Sequence, residues 1–178
     1  MHMEIKATAQ LNDDETGALK ALSAAVYPPK PGAAKNPSPI KWARPQWSVL
    51  LRNADSQLVS YVGALTRLGL CDNQECLIGG IGGVKTHPTQ RGKGYAKVGI
   101  KQATDFLRRE LGVDFSLLVC RADLMTYYQG LGWSAFAGDT LVRQNGSKTI
   151  FTWNKVMVKP AAKAEPQCAM LDLCGLPW

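Results

Sequence analysis

With 178 residues, 46% of them hydrophobic and 20% charged, the chain has the make-up of a soluble globular protein with a core of its own, read as one domain over 1–178. No apolar run approaches a membrane span and the first residues lack a signal-peptide pattern, which sets aside membrane insertion and secretion in favour of the cytoplasm. The net charge of +7 admits nucleic acid, an acidic surface or an anionic cofactor as partner.

Met1-His2-Met3 reads as a remnant ahead of the natural start, and Glu4 to Ala9 as a short strand. Asn12 followed by Glu15 has the spacing of a capping box, and Ala18, Leu19, Leu22 and Val26 then recur on one helical face. Pro28 and Pro29 end that helix, and the proline-rich stretch through Pro39 is expected to be a loop serving as a wall or lid. Trp47 to Leu51 and Leu58 to Leu65 flank a turn-rich segment and predict a hairpin; Gly69 to Gln74 predicts a second turn, and Glu75 to Val84 the next antiparallel strand. Ala96, Ile100, Ala103, Leu107 and Leu111 give a helix with one sheet-facing side, ended by Gly112. Asp114 to Cys120 reads as a buried strand parallel to the one before that helix. Leu124 to Leu131 is a short helix stopped by Gly132, and Thr140 to Arg143 with Thr149 to Val158 forms a closing hairpin around Asn145-Gly146. The five cysteines, odd in number and without short ligand spacing, read as buried or free thiols of a reducing compartment rather than disulfides or a metal site.

Arg91-Gly92-Lys93-Gly94-Tyr95-Ala96 carries the chemistry. A strand that enters a glycine-lined turn and then a helix binds anions, because the glycines let backbone approach a phosphate and the first-turn amides point at it. Lys85, Arg91, Lys93, Lys97 and Lys101 add positive charge with no acid between them. Only Tyr95 is interleaved with that charge, whereas nucleic-acid binding calls for several aromatics, so an anionic small molecule fits better. The Gly-Lys-Ser/Thr of a nucleotide P-loop is missing.

The same six residues satisfy the Arg/Gln-x-x-Gly-x-Gly/Ala signature of the GNAT superfamily of acetyl-coenzyme-A-dependent N-acetyltransferases. Tyr127-Tyr128-Gln129-Gly130-Leu131-Gly132-Trp133 resembles its late aromatic-Tyr-x-x-x-Gly-aromatic run. The resemblance spans Glu4 to Val158. It implies an α/β (α+β) fold with a mixed sheet of about six or seven strands, its fourth and fifth parallel and splayed, flanked by helices. It implies acetyl-coenzyme A as cofactor, its pantetheine against the backbone of Val84, Lys85 and Thr86. Arg91, Gly92, Lys93, Gly94, Tyr95, Ala96 and Lys97 would surround its pyrophosphate. Tyr128 falls at the family's general acid and Tyr127 at a core aromatic. The asparagine that often opens the late helix is Arg121 here, so its contact does not carry over. The strand glutamate that serves some members as base is replaced by Gly80-Ile81-Gly82-Gly83, leaving Glu75 as a weak candidate beside Asp72, while His87 before Pro88 reads as structural.

Within the superfamily the chain looks most like the aminoglycoside 2'-N-acetyltransferases, through Trp47 to Gly63, Cys120 to Tyr128, and an end at Leu171 to Trp178. That likeness implies an amino-sugar acceptor held by Trp178, with Asp172 as a second anionic contact. A polycationic acceptor further requires acids to converge at the site, from among Asp13, Asp14, Glu15, Asp123, Asp139 and Asp172. The alternatives are another small amine or a peptide N-terminus as acceptor, or an acyl-coenzyme-A-binding module without turnover. Nucleic acid and membrane are not expected partners; relatives in the superfamily often dimerise, and the sequence leaves a homodimer open.

Overall fold

The structure, a computed structural model, describes residues 1–28 and 39–178. The wall or lid expected of the proline-rich stretch falls, from 29 to 38, outside the described residues.

The chain opens with β1 (His2–Ala7), which pairs antiparallel with β2 (Trp47–Arg52) from His2↔Arg52 onward. His2 and Met3 are thus paired in the sheet, with Arg52 and Leu51. Between these strands, α1 (Asp13–Val26) begins at the expected capping box: Asn12 Oδ1 accepts from Glu15 N at 2.9 Å, and Glu15 Oε2 accepts from Asn12 N at 3.0 Å. The other oxygen of Glu15 pairs with Lys6 at 2.6 Å, which holds that buried carboxyl below the ordinary range.

Strands β3 (Leu58–Cys71) and β4 (Gln74–Thr86) are both longer than the sequence pattern implied. The second turn narrows to Asp72-Asn73, whose φ values of 45° and 69° suit a two-residue hairpin, so Gly69 lies inside β3. Near the other end of β4 the register shifts between Tyr61↔Lys85 and Gly63↔Gly82. Gly83, at φ 61°, takes up the extra residue as a bulge.

The chain then enters α2 (Tyr95–Arg109), which buries Ile100, Ala103 and Leu107 against Val49, Leu51, Val62 and Ile81 of the sheet. Ile100 and Leu107, fully buried, contribute about 1.5–3 kcal/mol each. From α2 the chain crosses to β5 (Phe115–Cys120), parallel to β4 over Ile78↔Phe115 to Ile81↔Leu118. Pairing stops there, while β4 continues to Thr86 and β5 to Cys120. The expected splay is present, with the Gly83 bulge bending one arm of it.

Helix α3 (Met125–Gln129) follows a 3-10 turn at Ala122–Leu124. Beyond it the predicted closing hairpin divides. After β6 (Ser134–Ala135), β7 (Asp139–Gln144) forms its hairpin with the short β8 (Ser147–Ile150) around Asn145-Gly146. β9 (Lys155–Pro160) leaves to flank β5, its partner from Phe115↔Pro160 to Cys120↔Lys155. The turn signal was read rightly and the second arm too far: Phe151 to Asn154 breaks it. Last comes β10 (Met170–Asp172), which adds Leu171↔Cys71 and Asp172↔Leu70 to the far end of β3 and runs parallel to β7.

Among the described residues ten strands share one mixed sheet, more than the six or seven expected, because β6, β8 and β10 are too short to show a period-two pattern. Cys71 and Cys168 form a disulfide across a sequence separation of 97, contrary to the free thiols expected. Spacing along the chain carries no trace of that pair; it forms because β10 returns to β3. Cys76, Cys120 and Cys174 are free. Among the described residues no helix is long and apolar enough to cross a membrane, and no cluster of ligands could hold a metal ion.

Candidate active site

Two cavities meet on the sheet where β4 and β5 part. The first, of about 720 Å³, runs from the end of β4 over the start of α2 to α3. Of the ten residues that the sequence pointed to for cofactor binding, nine line it: Val84, Lys85, Thr86, Arg91, Gly92, Gly94, Tyr95, Ala96 and Lys97. Lys93 does not, being exposed and donating to Gln90 Oε1 at 2.9 Å.

The geometry of the turn follows from its glycines. Gly92 and Gly94 sit at φ 77° and 81°, in the left-handed region, and Gly94 is the N-cap of α2 without any side-chain cap. The amides of Tyr95, Ala96 and Lys97 thus begin the helix with no intrahelical acceptor and open onto the cleft, beside Arg91 and Lys97. This is a fit for a phosphate group, and the exposed backbone of Val84 to Thr86 past the last β4–β5 pair fits an extended amide-bearing arm. Coenzyme A carries both.

At the far end of the cleft stands Tyr128, 7% exposed, with edge-on ring contacts to Tyr127 at 5.2 Å and Trp133 at 6.4 Å. Burial foremost, then the neighbouring Cys120, Tyr127 and Tyr27, pushes its phenol well above the ordinary range. Tyr127 was expected only to pack in the core; instead it is 42% exposed and lines the cleft. Arg121, in the place of the family's asparagine, also faces the cleft and is paired with Asp123.

The second cavity, of about 560 Å³, is lined by Tyr27, Trp42, Ala43, Pro45, Tyr61, Gly63, Leu65, Gly82, Gly83, Lys85, Val119, Asn154 and Trp178. Tyr27 and Lys85 line both spaces, so they mark the junction. Lys85 Nζ donates to Ser23 Oγ at 2.9 Å and lies 5.3 Å from the Tyr61 ring centroid; burial lowers its pKa. Apart from Trp178, Lys85 and the glycines at 82 and 83, none of this wall is marked as a site by the sequence. Its residues belong to segments scattered from 27 to 178 and share no spacing.

Trp178 is placed at this cavity, but as part of the packing. It is 5% exposed, its Nε1 donates to Leu117 O at 3.0 Å, and the Arg67 guanidinium lies 5.1 Å from its ring. A Cβ on Gly80 would stand 2.5 Å from Trp178 Cε2. The missing strand glutamate thus has a physical account: the indole occupies the space over β4 that a side chain at position 80 would need.

Other candidates lie elsewhere. Asp172 is buried, pairs with Lys148 at 2.6 Å and accepts from Cys174 N at 2.7 Å, lining neither cavity. Glu75 is exposed at the opposite end of β4 from the cleft. Asp72 accepts from Ala169 N and Met170 N, fastening the start of β10. His87 caps a 3-10 turn through Thr89. None of Asp13, Asp14, Glu15, Asp123, Asp139 and Asp172 lines the aromatic cavity, so the convergence of acids that a polycation requires does not occur among the described residues.

Comparison with known proteins agrees with this architecture. Among curated proteins none matches the sequence. Solved structures of similar fold include a GNAT family N-acetyltransferase, YhbS, from Escherichia coli in complex with CoA, at 14% identity and TM-score 0.63, covering 97% of this chain and 90% of that one. An acyl-CoA N-acyltransferase from Pseudomonas aeruginosa is 21% identical with a TM-score of 0.61, covering 89% of this chain and 98% of its own. Escherichia coli ElaA is 17% identical with a TM-score of 0.59, covering 89% and 98%. At these identities the likeness concerns the fold. The profile of the acetyltransferase (GNAT) domain, however, matches residues 8–136 of the sequence itself. With the glycine turn, the splayed strands and the buried tyrosine in the order that this match requires, the chain belongs to the GNAT acetyltransferase family, whose acyl donor is acetyl-coenzyme A.

Proposed function

We propose that the protein is an N-acetyltransferase that moves the acetyl group of acetyl-coenzyme A to the primary amine of a small molecule seated in the aromatic cavity. The observation that carries this reading is the wall shared at Tyr27 and Lys85, which sets a cleft suited to coenzyme A beside a cavity sized for a small ligand. When bound, acetyl-coenzyme A supplies an acetyl group activated as a thioester.

The chain's own residues position and protect. Amides of Tyr95 to Lys97 and the Arg91 side chain hold the phosphates, and the backbone of Val84 to Thr86 aligns the arm along β4. Tyr128 keeps its hydroxyl proton across the working pH range, because burial raises its pKa, and offers it as a hydrogen bond to the departing sulfur. No Asp or Glu lines either cavity among the described residues. The nucleophile is therefore the neutral amine, favoured by the same desolvation that lowers the pKa of Lys85.

The lining weighs against an aminoglycoside. Its four aromatic residues, Tyr27, Trp42, Tyr61 and Trp178, and its one lysine suit an apolar or aromatic amine. A donor of central metabolism favours the cytoplasm as the place of work, whereas the Cys71–Cys168 disulfide favours an oxidising one. A thiol-release assay with acetyl-coenzyme A over a panel of amines tests the reading. Turnover with small aromatic amines, rising with pH as the acceptor's ammonium deprotonates, is expected. Saturable coenzyme A binding with no thiol release from any amine is the result that would leave only an acyl-coenzyme-A-binding module, a reading favoured by the missing carboxylate base.

A further inference from the structure

Lys85 is the only charged side chain among the described residues that line the aromatic cavity. Its ammonium has three donors, and Ser23 Oγ is the hydrogen-bond acceptor it meets. Among the described residues no carboxylate lies within ion-pair distance of it. A half-buried cation without a counter-ion is costly to keep, and it is best accounted for where a ligand brings the missing charge. Residues 29–38 contain two lysines and no acid, so that segment holds no such counter-ion either.

The direction in which the ammonium faces separates two sources of anion. Lys85 lines both spaces, and its Nζ stands 5.3 Å from the ring centroid of Tyr61, which lines the aromatic cavity and not the cleft. The phosphate-binding amides lie at the other end of that cleft, at the start of α2. Coenzyme A is thus provided for elsewhere, and the cation belongs to the acceptor's side.

We infer that the Lys85 ammonium anchors a carboxylate on the acceptor, so that the amine acetylated belongs to a small molecule with an aromatic or apolar body and an acidic group, of which an aromatic amino acid is the simplest case. The inference rests on reading the aromatic cavity as the acceptor site. Among the described side chains that line the cavity Lys85 is the one charged group, beside the polar Asn154 and the hydroxyl-bearing Tyr27 and Tyr61: cationic acceptors are repelled, and neutral amines lose the anchor. The lowered pKa of Lys85 is in keeping with a cation whose partner arrives with the ligand.

The test is calorimetric and does not depend on turnover. The protein saturated with coenzyme A is titrated with matched pairs, phenylalanine against phenethylamine and tryptophan against tryptamine. Tighter binding of the carboxylate member, by about tenfold or more, is expected. That preference should vanish in Lys85→Met and persist in Lys85→Arg, with the affinity for coenzyme A within about twofold of the parent in both. Retained coenzyme A binding also shows that the variants fold. Equal or tighter binding of the decarboxylated member overturns the inference, as does a preference that survives Lys85→Met, a coenzyme A affinity that falls with it, or a panel in which neither member binds. Thiol release is measured separately: its absence with every amine sinks the acetyltransferase reading while the binding preference still decides the role of Lys85.

Discussion

The donor cleft and the aromatic cavity share a wall but are made of different material. The cleft is largely backbone: the amides that open α2, the left-handed Gly92 and Gly94, and the end of β4 beyond its pairing with β5, nearly all within Val84 to Lys97. The cavity is side chain: Tyr27, Trp42, Tyr61, Lys85, Asn154 and Trp178 converge from separate elements. A backbone site tolerates change at most of its positions and depends on a few conformations. A side-chain site depends on whatever holds its contributors together, including contacts well away from the ligand. Substitutions should therefore separate the two spaces cleanly.

The largest effect is expected from the Cys71–Cys168 disulfide. It closes the return of β10 onto β3 over a separation of 97 residues, and removing such a link costs about 4 kcal/mol of stability. Joint Cys71→Ser and Cys168→Ser substitution should lower the denaturation midpoint accordingly. It should also raise the acceptor's KM severalfold, because β10 leads to Trp178, while coenzyme A affinity stays put. A parallel loss on both sides would show that the two spaces are not independent. Trp178→Ala comes next, costing about 3–4 kcal/mol for the emptied space and the lost bond to Leu117 O. Its kinetic signature is again a raised acceptor KM with donor binding intact.

Tyr128→Phe acts on neither affinity. A single donor to developing charge is worth about a hundredfold in rate, so kcat should fall by that amount with both KM values nearly constant. Because the folded phenol titrates above the ordinary range, the parent enzyme keeps this proton, and its alkaline limb stays flat where a free tyrosine would ionise. Near-normal kcat in the variant would leave Tyr128 as a core aromatic only.

The same contrast explains what could be read from the sequence. The cleft was legible because a run from β4 into α2 carries its glycines, its charges and its helix start together, and local conformation does the rest. The capping box at Asn12 and Glu15 was legible for the same reason. The partner of β9, the disulfide and the burial of Asp172 against Lys148 were not, since each depends on which distant segment arrives beside it. Trp178 shows the boundary well. A resemblance singles it out as an acceptor contact, whereas the structure buries it, and its packing over Gly80 explains a glycine that sequence alone registers only as a lost glutamate.

The smallest of these effects is also the sharpest test of a backbone-built cleft. Gly94 has open space where a Cβ would stand, so Gly94→Ala meets no clash, and its whole cost is the left-handed φ of 81°. Relaxing that strain rotates the first amides of α2 away from the cleft, and a penalty of roughly 1–2 kcal/mol corresponds to about a tenfold loss of coenzyme A affinity. Arg91, Lys93 and Lys97 are exposed, and their attraction for a phosphate is screened by salt. Lys93→Ala, outside the cleft, should be silent, and Arg91→Ala or Lys97→Ala should cost about two- to threefold at physiological ionic strength. If an alanine at Arg91 or Lys97 weakens coenzyme A more than one at Gly94, the cleft is held by charge and not by the amides at the start of α2.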